Sequence, residues 1–167
     1  MNADAFRHLY DYHFAQNRSL WNNHIMPLSQ EQFTQKFDYS IGSVRNQIVH
    51  LISVDNTWFS QILGEEVDWL NPAEFDDRDL IRAEWDKVEQ KMRGYLANLR
   101  DEMLFEKPFP DHEEDHILTL WQVLLHVANH GTDHRAQILR LLHDLGQRTP
   151  PQDYVFYVYD HPMPTRT

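Results

Sequence analysis

The stretch HVANHGTDHR sets His126, His130 and His134 at four-residue spacing. Neutral imidazole is a ligand for divalent transition metals, so histidines repeating along one side of a helix could hold an ion. The three cannot all serve. Eight residues separate the first from the third, about 12 Å of helical rise, and metal–nitrogen bonds are only about 2.1 Å long. One adjacent pair can share an ion. At ~100° per residue, Leu120, Leu124, Val127, Ile138 and Leu145 mark the apolar face; His134 lies about 40° from its centre, His130 about 80° and His126 about 120°. His126 therefore leans toward the polar side with Gln122, Asn129 and Asp133, while His134 points toward the core, with Gly131 leaving space beside it. The pair His130 and His134 is favoured.

Two ligands make a weak site, and a third must come from another helix. His50, in QIVHLISVDNTWF, sits in the body of an earlier helix but off the centre of its apolar stripe. His13 and Asp55 lie nearer the apolar faces of theirs. Periodicity leaves all three open, because His13 also reads as a hydrogen-bonded core residue and Asp55 as a buried carboxylate paired with Arg or His. Asp55 and His126 are candidates for orienting a ligand imidazole from behind, and His126 also reads as plain surface. The run DHEEDH at 111–116 resembles a metal cluster, but charge runs in loops are usually solvated. His8, His24, His143 and His161 have no companion at helical spacing.

Composition narrows the chemistry further. The chain has no cysteine and 11 histidines, so disulfides, thiolate ligands and cysteine nucleophiles are excluded, and metal chemistry must run on imidazole and carboxylate. The net charge of −11 argues against a phosphate-backbone binder. No apolar run approaches the ~20 residues of a membrane helix, and the N-terminal MNADAFRHLYDYHF lacks a basic head before an apolar stretch. A cytoplasmic protein is expected, with 167 residues forming a single domain over 1–167.

The elements that must position these residues are outlined by proline. Prolines 27, 72, 108, 110, 150 and 151 cut the chain into four long proline-free segments. The first carries Phe6, Leu9, Tyr10, His13, Leu20 and Trp21 at helical spacing. The second, capped by Asp38 or Ser40, shows Val44, Ile48, Leu51, Trp58, Phe59 and Ile62 and stops at Gly64. The third opens on FDDRD, whose acids suit a helix N-terminus, and uses Leu80, Val88, Met92, Tyr95 and Leu99. The fourth starts at the capping-box pair Thr119 and Gln122 and ends at Gly146. Before it, MLFEKPFPDHEEDHILTL forms an irregular insertion or a small hairpin, and DYVFYVYD is aromatic enough to pack back on the body. The fold class is all-α, a four-helix bundle.

Two blocks, TLWQVLLHVANHGTDHRAQILRLLHDLG followed by DYVFY, and VRNQIVHLISVDNTWFSQILG, resemble the DinB/YfiT-like family of bacterial four-helix-bundle proteins, and the resemblance spans nearly the whole chain. It implies up-down-down-up helices and a divalent metal held by His50, His130 and His134, the third ligand that periodicity left open. Three imidazoles suit zinc or nickel and leave a coordination position open. Relatives of this kind include S-transferases that use a low-molecular-weight thiol, isomerases and hydrolases. The resemblance therefore implies a metal-dependent enzyme acting on a small molecule with a thiol or water. The alternative is a non-catalytic metal-binding stress-response bundle acting as a homodimer or through a partner.

Overall fold

A computed structural model describes residues 2–163, and these form helices and turns with no strand. The long helices are α1 (Ala3–Leu20), α3 (Val44–Leu63), α4 (Arg78–Ala97) and α5 (Leu120–Asp144); α2 (Gln30–Thr34) and α6 (Tyr154–Asp160) are short. Local sequence explains the boundaries. Asn2 accepts from the Ala5 amide at 2.9 Å to open α1, and Gln122 Oε1 accepts from the Thr119 amide at 2.9 Å to open α5. Gly64 and Gly146 end α3 and α5 in the left-handed region, at φ 70° and 85°, where a side chain would be strained.

Three local expectations are corrected. Ser43 caps α3, accepting from the Asn46 amide at 3.0 Å, because the chain through Asp38 and Ser40 is still turning, with Ser40 itself at φ 51°. In α4 the buried stripe is Ile81, Trp85, Val88, Met92 and Leu96, and Leu80 is 57% exposed. The insertion before α5 takes the irregular of its two expected forms, with 3₁₀ turns at Glu102–Phe105 and Asp115–Ile117. Pro108 and Pro110 remove backbone donors that a strand ladder would need. Finally, α1 runs on through a π-helical turn, Trp21–Ile25, and Ser29 with Gln32 caps the short α2 that the proline pattern did not mark.

Contacts between the long helices fix their directions. Along α1 and α5, Tyr10 donates to Leu124 O at 2.9 Å and Gln147 Nε2 to His24 O at 3.1 Å, so the two run parallel. Along α1 and α4, Arg7 donates to Leu96 O while Trp21 packs on Trp85, so these run oppositely. Arg45 pairs with Asp76 just before α4 and Lys91 donates to Ser60 at 2.8 Å, making α3 and α4 parallel. Gln47 bonds Gln137 and Trp58 packs on His126, making α3 and α5 antiparallel. The order is up-down-down-up. The neighbouring pairs are α3 with α5, α3 with α4, α1 with α5 and α1 with α4, which leaves α1 and α3 opposite each other across the diagonal.

The core is continuous through all four helices, from Phe6, Tyr10 and Trp21 to Ile48, Leu51, Phe59, Ile81, Trp85, Leu124, Val127, Ile138 and Leu141. Each such side chain stabilises the fold by about 1.5–3 kcal/mol relative to exposure. The tail packs back as expected. Tyr12 donates to Gln152 O at 2.5 Å, and His8 meets the Tyr154 hydroxyl at 2.6 Å.

Candidate metal centre

Antiparallel α3 and α5 bring His50 against His130 and His134. The ring centroids are 5.3 Å (His50–His130), 4.5 Å (His50–His134) and 4.2 Å (His130–His134) apart. One ring nitrogen from each lies within 4.8 Å of the others, and all three residues are half-buried. Three nitrogens bound to one ion at about 2.1 Å stand roughly 3.4–3.6 Å apart, so the rings need close by no more than about 1.4 Å to share one ion. Among the described residues this is the one histidine and carboxylate group close enough to do so.

The protonation states suit the task. Burial pushes all three imidazoles below their ordinary value, His130 to about 4, helped by the neighbouring His134, His50 and His126. Near neutral pH each is uncharged, with a lone pair free. His134 Nδ1 lies 2.8 Å from Gln47 Oε1, which can only accept, so Nδ1 carries the hydrogen and Nε2 the lone pair. Gln47 donates in turn to Gln137 Oε1 at 3.0 Å, and Gln137 to Asp133 Oδ2 at 2.9 Å. His130 Nδ1 is buried with no hydrogen-bond partner, an unsatisfied polar atom on a histidine of the cluster. This donor set fits a divalent cation that prefers imidazole nitrogen.

The remaining candidates fall elsewhere. His126 is exposed, its ring 6.1 Å from that of His130 and 5.3 Å from that of Trp58. Asp55 and His13 are in the core, 1% and 0% exposed, and bond each other at 3.2 Å rather than any histidine of the cluster. The space at Gly131 belongs to His13, not to His134: a Cβ at 131 would lie 2.7 Å from His13 Nδ1 and closer still to Cε1. His112 pairs with Asp115 within the exposed loop, as a solvated charge run does. Gln47, Gln137 and Arg135 were not marked as site residues by periodicity. Their signal was position: Gln47 and Gln137 each stand three residues from a cluster histidine, on the same helix face.

A shallow cleft of about 510 Å³ lies on the outer face of α5, lined by His126, Asn129, His130, Thr132, Asp133 and Ala136. It reaches the cluster through His130 and offers amide, carboxylate and imidazole groups to a polar ligand.

Comparison with known proteins agrees with this architecture. The chain is similar to Protein DinB of Bacillus subtilis (strain 168), 26% identical over 167 residues that cover 95% of this chain and 96% of that protein. The family model described as DinB family matches residues 1–165, which takes in every helix of the bundle and all three clustered histidines, and the chain belongs to the DinB family.

Proposed function

We propose that the protein is a metal-dependent enzyme of the thiol S-transferase type, in which His50, His130 and His134 hold one divalent cation, zinc or nickel. The observation that carries this reading is the cluster itself: three uncharged imidazoles from two helices, each half-buried, beside a polar cleft. A sealed structural site would use four protein ligands and full burial; three histidines leave a coordination position open. When bound, the ion supplies Lewis acidity that lowers the pKa of a thiol or water toward neutral.

The chain's own groups have definite parts in this reading. Gln47 holds His134 in the tautomer that presents Nε2. Asn129 and Asp133 face the cleft and orient a polar substrate by hydrogen bonds. No side chain supplies a thiol, since cysteine is absent, so the thiol comes from solution.

The test is a thiol-conjugation assay on a panel of small electrophiles, run with metal-loaded, metal-stripped and His130→Ala protein. Metal-dependent turnover lost in the variant is the expected result. Stoichiometric metal without turnover of any thiol or hydrolytic substrate would replace the enzyme reading with a metal-binding bundle, and no metal uptake would remove both.

A further inference from the structure

A second polar cluster lies in the core directly behind the histidines. His13 of α1 is fully buried, and both its ring nitrogens are engaged by other helices. Arg135 Nη1 donates to Nδ1 at 3.1 Å. Because the guanidinium can only donate, Nδ1 accepts, Nε2 carries the hydrogen, and Asp55 Oδ2 accepts it at 3.2 Å. Asn17 borders the cluster, its Oδ1 accepting from Arg135 Nη1 at 3.0 Å. Arg135 reaches further, to Thr132 Oγ1 at 3.0 Å and Gln152 Oε1 at 3.3 Å.

The placement of this cluster is informative. On α5 the residue after each clustered histidine belongs to it: Gly131 follows His130 and gives the His13 ring its space, and Arg135 follows His134. On α3, Asp55 lies five residues beyond His50. His13 thus bridges α3 to α5 through the bundle interior, from the diagonal helix. The Gln47–Gln137 and Gln47–His134 bonds bridge the same two helices on the outer side. The three histidines lie between the two bridges.

We propose that His13 is a positioning residue for the metal centre: its Asp55–His13–Arg135 bridge sets the separation and register of α3 and α5 on which a shared ion depends. The proposal rests on the metal reading above. An apolar side chain at 13 leaves a carboxylate and a guanidinium buried without their common partner, which the helices can relieve only by moving apart or admitting water. Displacement of one ligand by about 1 Å is enough to break a bond of about 2.1 Å.

Cobalt(II) titration of the full-length protein tests this, with binding followed by visible absorption, which reports the ligand geometry. His13→Leu removes the bridge. His13→Gln restores a donor at one end and an acceptor at the other. Ile81→Ala opens a cavity in α4, which carries none of the three histidines, and serves as the control for lost stability. We expect wild type to bind one cobalt per chain, His13→Leu to bind at least about tenfold more weakly with an altered spectrum, and His13→Gln to recover both. Ile81→Ala should keep the wild-type affinity and spectrum. Gly131→Ala, which pushes the His13 ring from its place without touching a ligand, should shift the spectrum as His13→Leu does, and stands in if that variant fails to fold. Wild-type cobalt binding by the His13→Leu or Gly131→Ala protein would overturn the proposal, as would equal weakening by Ile81→Ala. If wild type itself takes up no cobalt, the metal reading falls, and this proposal with it.

Discussion

Gln47 of α3 accepts the Nδ1 hydrogen of His134 of α5 at 2.8 Å, so one amide joins the two helices and fixes which nitrogen faces His50 and His130. Groups behind a ligand imidazole orient the ring and raise its basicity, and their loss commonly weakens metal affinity 10–100-fold. Gln47→Leu should therefore lower zinc affinity by about tenfold or more, while Gln47→Glu, which keeps an acceptor, should not. Competition against a chelator of known affinity measures both.

His126 and His130 are one helical turn apart, yet only His130 has a ring nitrogen in the cluster. His130→Ala should reduce bound metal from one per chain to none, and His126→Ala should leave it at one. Elemental analysis of the purified proteins after gel filtration reads this directly.

Acid should destabilise the protein through its buried histidines. His13, His50, His130 and His134 are all pushed below the ordinary value by burial, His130 to about 4. The unfolded chain, with histidine near 6.5, takes up protons that the folded chain refuses. Stability should be full above about pH 6.5, fall as the pH drops through that value, and cease falling on His130's account below about 4. Urea unfolding midpoints of metal-free protein between pH 8 and 4 give the profile. With metal bound the decline should be accompanied by release of the ion, since protons compete for the same lone pairs.

Much of this was legible in the sequence, and the reasons differ by residue. Helical rise showed that His126, His130 and His134 cannot share one ion, because a metal–ligand bond is short against a helical pitch, and helical phase then set His126 apart. Proline spacing and the caps at Gly64, Thr119 and Gly146 gave the four long helices, since these residues act on the backbone locally. The α4 stripe was misphased at Leu80 because leucine is apolar wherever it stands; the Asp77 cap and the Ile81–Trp85–Val88 spacing place the buried face one residue later. The choice among His13, His50 and Asp55 was beyond periodicity. Both core residues lie closer to an apolar face than His50 does, and only the packing of α1, which carries His13 across the bundle interior to Asp55 of α3, turns them into partners of each other. Gly131 was read as room for its own helix neighbour, whereas its missing side chain is filled from α1, a contact 118 residues away in sequence.

Two glycines test that last point in opposite directions. In an ordinary helical site, glycine to alanine stabilises by about 0.8–1.0 kcal/mol, through the backbone entropy that alanine no longer loses. Gly94 of α4 is such a site, with nothing within 4 Å of an added Cβ, and Gly94→Ala should raise stability by about that amount. At Gly131 the same Cβ would meet His13 Nδ1 at 2.7 Å and Arg135 Nη1 at 3.2 Å. The His13 ring is fully buried and tied to Asp55 and Arg135, so it can give way only by losing those bonds. Overpacking of this kind costs about 1–3 kcal/mol, which exceeds the propensity gain, and Gly131→Ala should lower the urea midpoint where Gly94→Ala raises it. An unchanged or raised midpoint for Gly131→Ala would place His13 outside the space that the glycine leaves.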